Sequence, residues 1–430
     1  MRRALIAAAT LSALALTATA CGSSGSGAGS TAAKNPGQVS GTITYWDTSD
    51  AKNEAPAYKA LIKQFEAKYP KIKVQYQNVA FASVEAKFKS AAQSGKGAPD
   101  VVRTDVGLIS EYASLGYAQK LDGTAALSDK GDFAPGAWGT TQYKGATYGI
   151  PQVTDTLGLL YNKALFKKAG IAKPPTTWDA FIADAKQLKA RAGVDGTYLN
   201  PDPYFMLPFL FGEGADLADP AKKQITVNSP AAVKAATTAK KVADEASAKI
   251  DFANSYNNMQ AMFKTGKVGM VIQGPWSTAD DYSGSAFTDK ANLGIAPVPA
   301  GSTGKGQAPT GGHDLVVYAG SKHLDASYLF TKFMTSSASE AFIAEKNGTL
   351  PGRTSAYTPT VLKQPSIAGF QAVLPTARAR VALPQVGSLF TPLGQDYTKI
   401  LQGQESPQAG LDHSAAEFKK LLPSDFTIAK

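Results

Sequence analysis

From residue 41 onward, short β-branched runs alternate with segments of helical spacing. Gly41-Thr42-Ile43-Thr44-Tyr45-Trp46-Asp47 is rich in β-branched and aromatic residues and reads as a strand. Tyr58, Leu61, Ile62 and Phe65 recur at i, i+3, i+4 and i+7, which predicts a helix over 57–69 that Pro70 stops. The alternation in Ile72-Lys73-Val74-Gln75-Tyr76 predicts a second strand, a helix follows over about 83–93, and 100–104 reads as a buried strand. Strand-helix-strand at this spacing predicts a parallel α/β sheet with right-handed crossovers. Ligands bind off the carboxyl ends of strands in such sheets. Asp47, and Thr104 with Asp105, stand at such ends.

The texture repeats after Tyr148-Gly149-Ile150-Pro151. Strands are predicted at 157–161, 268–272, 293–299 and 314–318. Helices are predicted from a Thr177 cap to about 190, over an aromatic segment 203–212, and over about 230–246, 255–264 and 325–335. A Gly-rich loop is expected over 300–312, and the last hundred residues read as mainly helical. No internal repeat is visible, and two α/β lobes of roughly 200 residues each fit the length.

The first forty residues read as an address. Arg2 and Arg3 precede an uncharged stretch, Ala4 to Ala20, and then Cys21, the pattern of a secretory signal peptide over 1–20. Cys21 follows small residues and precedes a Gly/Ser run, which resembles the lipobox of bacterial lipoproteins. Ala18 stands where that motif usually has Leu. The resemblance implies a diacylated Cys21 as the lipidation site, and two acyl chains are enough for stable anchoring. Residues 21–39 would then be a flexible tether. No other segment reaches 18 apolar residues.

Composition narrows the chemistry. The chain has 43% apolar and 18% charged residues, a globular balance that excludes collagen, coiled coil and wholesale disorder. The formal charge is +10, about +8 without residues 1–20, yet no three basic residues are consecutive. The lysines therefore read as solvated helix faces, and no nucleic-acid partner is expected. One cysteine and three histidines (His313, His323, His413) allow no intrachain disulfide and no Cys-x-x-Cys or His-Glu-x-x-His zinc site. Gly-x-Ser-x-Gly, Walker and Gly-x-Gly-x-x-Gly patterns are missing as well. Neither catalytic residues nor a metal nor a cofactor is expected.

Several phrases in order resemble the sugar-binding subunits of ABC importers, the maltose/maltodextrin-binding type of extracellular solute-binding protein. They are Gly97-Ala98-Pro99-Asp100-Val101-Val102; Asp155-Thr156-Leu157-Gly158-Leu159-Leu160-Tyr161-Asn162-Lys163 followed by Pro175-Thr176-Thr177-Trp178; Met262-Phe263-Lys264-Thr265-Gly266-Lys267-Val268-Gly269-Met270 followed by Gly274-Pro275-Trp276; Gly311-Gly312; and Leu350-Pro351-Gly352-Arg353. The resemblance covers about residues 40–355 and is loose beyond. It implies a two-lobed α/β fold of the type II periplasmic-binding-protein kind, each lobe a mainly parallel sheet flanked by helices, with a three-segment hinge near 152–155, 309–312 and 347–357. Lobe 1 would comprise 40–153 plus 311–352, and lobe 2 would comprise 154–310 plus 353–430. It also implies a monomer on the outer face of the bacterial cytoplasmic membrane that delivers its solute to the transmembrane subunits of an ABC permease.

A neutral sugar needs flat rings for its C–H faces and carboxylates or amides for its hydroxyl rim. By the resemblance, Trp276 and Tyr204 stack on sugar, while Asp202, Asp155, Asp47 and Thr104 with Asp105 take hydroxyls. Gly311 and Gly312 let the backbone bend and approach the ligand, with His313 and Asp314 directly after them. Arg353 either forks onto a carboxylate or a hydroxyl pair of the ligand or makes a structural salt bridge, and Phe390 replaces a stacking Trp. Trp46 and Trp178 read as structural. Other readings are the same fold holding a cationic or other small polar solute in an aromatic and acidic cage, or a secreted glycoside hydrolase using paired acids.

Overall fold

The computed structural model describes residues 35–127 and 129–429. The leader, Cys21 and most of the tether lie outside the described residues. Two principal sheets organise the chain. The first runs Leu350–Pro351, Ile150–Thr156, Ala308–Val317, Val101–Asp105, Gly41–Asp47, Ile72–Asn78, with Ala377–Arg378 alongside Ala308–Val317. The second runs Leu293–Ala296, Gly158–Asn162, Val268–Gln273, Asp195–Thr197.

Local signals account for most elements. Helix Ala55–Lys68 buries the predicted stripe Tyr58, Leu61, Ile62 and Phe65, and each such side chain contributes about 1.5–3 kcal/mol on leaving water. Helix Phe81–Ser94 stops where Gly95 enters the left-handed region at φ 67°. Thr177 Oγ1 accepts from Ala180 N at 3.2 Å and caps Trp178–Gln187. Ser229 caps Pro230–Glu245, with Pro at the first turn.

Strand alternation puts the first sheet between two apolar layers. Tyr45, Val101 and Leu315 face one side with Phe65 and Phe330, while Trp46, Val102 and Val316 face the other with Phe88 and Tyr112. The second core surrounds Leu159, Leu160, Met270 and Val271, and Trp178 stacks on Phe209 there at 3.9 Å between ring centroids. Trp46 and Trp178 are both buried.

Three expectations change. The sheets are mixed, not mainly parallel. Gly41–Asp47 is parallel to both neighbours, but Ala308–Val317 inserts antiparallel between Val101–Asp105 and Ile150–Thr156. In the second sheet Gly158–Asn162 is antiparallel to both neighbours, and only the Val268–Gln273 and Asp195–Thr197 pair is parallel. Gly158–Asn162 leaves the first sheet directly after Ile150–Thr156 and enters the second between two strands that both run opposite to it, with no crossover helix between itself and the preceding strand. The expected loop to Gly312 is strand from Ala308 onward: Pro309, Gly311 and Gly312 lack strand propensity, but pairing partners on both sides supply the hydrogen bonds. The aromatic segment is a 3₁₀ turn, Pro203–Met206, running into a short helix, Leu207–Gly212.

Candidate functional site

The expected residues fall into separate environments at the carboxyl end of the first sheet. Asp47 ends its strand fully buried. Its carboxylate accepts from Tyr76 OH at 2.7 Å, from Ser49 N at 3.1 Å and from the Ser49 hydroxyl, with Arg103 Nε 4.0 Å away. Arg103 Nε donates to Gln152 Oε1 at 3.0 Å, its Nη1 donates to Thr48 Oγ1 at 3.1 Å, and its guanidinium lies 5.1 Å from the Tyr58 ring. The lone pairs of Asp47 are thus spent within its own part of the sheet.

Asp105, two positions after Arg103 on strand Val101–Asp105, accepts from Gly107 N at 2.7 Å and from Arg380 Nη2 at 2.6 Å. Across the ladder, His313 pairs with Asp105, and Gly311 pairs with Asp155. Asp155 is 7% exposed and its Oδ1 has no hydrogen-bond partner. A Cβ added at Gly311 would fall 2.1 Å from that oxygen and 2.5 Å from Tyr204 OH. The missing side chain at Gly311 is therefore what lets the carboxyl and the phenol converge. Burial pushes the Asp155 carboxyl up to about 7, the Asp105 charge adds to the shift and Arg380 opposes it.

Tyr204 stands in the 3₁₀ turn that Asp202 caps, with Asp202 Oδ1 accepting from Tyr204 N at 2.8 Å. The Arg380 guanidinium is 5.7 Å from the Tyr204 ring, and the Trp276 ring is 6.5 Å from it, tilted by 56°. Trp276 Nε1 donates to Tyr256 OH at 3.1 Å. The indole folds back over Gly274, where a Cβ would lie 1.9 Å from the ring. Behind it Gln273 Oε1 accepts from Gly274 N at 3.0 Å, Gln273 Nε2 donates to Gln260 Oε1 at 3.1 Å, and Gln260 Nε2 donates to Asp281 at 3.2 Å. Burial pushes Asp281 up to about 7.

His313 is half-buried, its ring 5.6 Å from that of Phe81, and its Nε2 has no partner. Burial, with Arg103 and Arg380 nearby, holds its pKa well below the usual imidazole value, so it is neutral. Thr104 and Asp314 pair with each other and are fully buried. Thr140 Oγ1 donates to Asp314 Oδ2 at 3.3 Å, and burial pushes that carboxyl up to about 8.

Asp105, Asp155, Tyr204 and Gly311 thus come together, with His313, Trp276 and the capping Asp202 beside them. Gly312 turns the strand at φ 129°. Asp47, Thr104 and Asp314 are held among residues of the first sheet. Arg353 forks onto carboxylates, but onto Asp129 at 3.2 Å and Asp132 at 3.6 Å, with its guanidinium 3.9 Å from the Phe133 ring. Phe390, on helix Val386–Gln402, packs half-buried against the second core. The sequence reading missed Arg380, Arg103 and Tyr256. Arg380 had one available signal: with Arg378 it alternates in an extended run. Arg378 bonds Asp216 at 2.7 Å and Arg380 bonds Asp105. Among the described residues no group of His, Cys, Asp and Glu is placed to hold a metal, and no helix is long and apolar enough to cross a membrane.

Comparison with known proteins agrees with this architecture. The model of the bacterial extracellular solute-binding protein family matches residues 51–341. The chain is similar to the GacH receptor of Streptomyces glaucescens, solved unliganded and with acarbose: 43% identity, TM-score 0.86, covering 91% of this chain and 100% of that one. It is 26% identical to the maltotriose binding protein of Thermus thermophilus, at a TM-score of 0.75, covering 88% of this chain and 99% of that one. It is 27% identical over 362 residues to the diacetylchitobiose binding protein DasA of Streptomyces coelicolor, covering 82% of this chain and 83% of the relative. The chain belongs to the bacterial extracellular solute-binding protein family. It is a binding receptor and not an enzyme.

Proposed function

We propose that this chain is the substrate-binding subunit of an ABC importer, capturing an oligosaccharide between two lobes and delivering it to a membrane permease. The observation that carries the reading is the meeting of Asp155 and Tyr204 over the bare Gly311: a buried acceptor without a partner beside an aromatic face, with Trp276 adjoining. That pairing suits the hydroxyl rim and apolar face of a pyranose, and hydrogen bonds to a charged acceptor contribute about 1.5–3 kcal/mol each. The sugars in the names of the relatives, acarbose, maltotriose and diacetylchitobiose, support the same ligand class. The lobes of this reading are 40–153 plus 311–352 and 154–310 plus 353–430, joined near 152–155, 309–312 and 347–357. Cys21 carries the lipid that holds the protein at the outer face of the cytoplasmic membrane, as a monomer.

A thermal-shift screen tests the ligand, because a solute that binds only the folded form raises the melting midpoint by mass action. Malto- and chito-oligosaccharides are expected to raise it and choline-type cations are not; the reverse pattern sinks the sugar assignment. For the anchor, Cys21→Ala is expected to release the protein into the medium, and retention at the membrane would refute lipidation.

A further inference from the structure

Resting on the reading just given, we propose that Phe81 is a ligand residue, an outer aromatic platform on which a longer chain stacks a sugar beyond the one held at Asp155 and Tyr204. Phe81 keeps 54% of its exposure, the most of any large apolar side chain among the described residues. Single exposed apolar residues are common on protein surfaces, so exposure alone assigns nothing; position and direction do. Phe81 opens helix Phe81–Ser94 just after strand Ile72–Asn78, at the carboxyl end of the parallel strands, where ligands of such sheets bind. Val84, Phe88 and Ala92 form the buried stripe of that helix. Phe81 lies about one turn before Val84 and two before Phe88, on the same face. The ring therefore points over the end of the sheet, and it stays open because the strands end there.

That direction leads to the site. The Phe81 ring meets the His313 ring edge-on, with 5.6 Å between centroids and 68° between planes, and the rest of the phenyl is in water. His313 stands two positions from Gly311 on strand Ala308–Val317, about 7 Å along it. Gly311 is where the Asp155 carboxyl and the Tyr204 phenol converge, and the field of Arg380 acts on both His313 and Asp155. Phe81 and the Tyr204–Trp276 pair thus flank the buried acid, the pair on the side of the second core. A sugar at Asp155 and Tyr204 alone leaves the phenyl wet. A chain that runs on past His313 covers it, and the gain from removing that apolar surface from water goes only to the longer ligand. Phenylalanine has no polar handle, so it takes the C–H face of the outer sugar and rewards length without demanding a hydroxyl pattern.

Calorimetric titration of wild type, Phe81→Ala and Phe81→Trp with the disaccharide and the tetrasaccharide of the malto and chito series tests it. In the series that binds, wild type is expected to prefer the tetrasaccharide. F81A is expected to lose about tenfold in tetrasaccharide affinity, the scale of burying half a phenyl. It is expected to lose less on the disaccharide, whereas F81W keeps the length preference. The melting midpoint of unliganded F81A should match wild type, because more than half of the side chain is already in water. A wild type without length preference, wild-type tetrasaccharide affinity in F81A, the same fold loss on both lengths, or a lower unliganded midpoint overturns the proposal. If wild type binds none of these sugars, the oligosaccharide reading itself fails, and this inference with it.

Discussion

The Asp105 carboxylate and the Arg380 guanidinium meet at 2.6 Å although 275 positions separate them in the chain. Asp105 ends a central strand of the first sheet, whereas Arg380 follows the short Ala377–Arg378 strand, whose Arg378 bonds Asp216 beside the second core. The backbone at Gly107 must be bare for this pairing, since a Cβ there would lie 2.8 Å from Arg380 Nη1. Ser110 Oγ donates to Leu383 O at 3.3 Å, a second tie between the same two segments. The 377–385 stretch therefore acts as a strap across the carboxyl end of the first sheet.

Removing one partner should cost more than the pair contributes, because the other charge stays in a poorly solvated place. Breaking buried pairs costs ~3–5 kcal/mol. Asp105 and Arg380 keep 19% and 11% of their side-chain exposure, which places Arg380→Ala near the lower end, at about 3 kcal/mol. Urea unfolding measures it. Loss of Arg380 also removes a cation that holds the Asp155 carboxyl down, so that group should titrate higher in R380A than its about 7 in wild type. An unchanged Asp155 titration, followed by carboxyl-carbon NMR, would show that Arg380 exerts no field on it.

Asp314 sets a pH dependence of definite sign. An unfolded aspartate titrates near 3.9, whereas burial pushes this one up to about 8 in the fold, with Asp105 raising it further and Thr140 and Arg380 opposing. The folded state therefore holds the extra proton between these values. Its stabilising share is complete below about pH 4 and is lost as pH rises through about 8. Asp314→Asn should melt higher than wild type at pH 8, and the two should converge below pH 4. Comparing wild type with this single variant isolates Asp314 from Asp155 and Asp281, which shift the same way. Parallel melting curves across that range would refute the buried-acid account.

The sequence shows elements wherever the apolar period is local. The stripe Tyr58, Leu61, Ile62, Phe65 and the helix over 255–264 appear where the spacing puts them. It hides the strand through Pro309, Gly311 and Gly312, because those residues take extended conformation only when partners on both flanks complete the ladder. Antiparallel insertion is hidden for the same reason, since strand sense is a property of the neighbour. Among the candidate site residues, the phrases that hold Asp155, Tyr204 and Trp276 drew attention to them. Arg380 carried only its alternation with Arg378, which names no partner, because Asp105 lies 275 residues away. The partners of Arg353 were equally out of reach: whether a guanidinium forks onto solute or onto the protein depends on which carboxylates the fold brings near it.

Arg353 makes that distinction measurable. It is 2% exposed, bonded to Asp129 and Asp132, laid on the Phe133 ring, and its backbone N donates to Glu340 Oε2 at 2.7 Å. Arg353→Ala leaves Asp129 and Asp132, which keep 48% and 30% of their side-chain exposure and can turn to water, and empties the space over Phe133, at a cost of about 1–3 kcal/mol. The protein that remains folded should bind its sugar with wild-type affinity. A tenfold loss of affinity at full foldedness would instead make Arg353 a ligand residue.

Adjacent glycines in one strand should fail in different ways. At Gly312 the backbone has φ 129°, and a Cβ would sit 2.3 Å from Val153 O, a backbone atom fixed in the ladder. Strain of this kind costs on the order of 1–3 kcal/mol before the clash is counted, so Gly312→Ala should lower the melting midpoint sharply. At Gly311 the added Cβ meets side-chain atoms, Asp155 Oδ1 at 2.1 Å and Tyr204 OH at 2.5 Å, and both groups can swing away. Overpacking there costs about 1–3 kcal/mol, but the swing separates the carboxyl from the phenol that it meets in wild type. Gly311→Ala should therefore stay folded and lose sugar affinity by about tenfold or more, the equivalent of one hydrogen bond to a charged acceptor. Melting curves and calorimetry on the two variants decide it. If G311A binds like wild type, the ligand does not rest on Asp155 and Tyr204, and the site lies elsewhere.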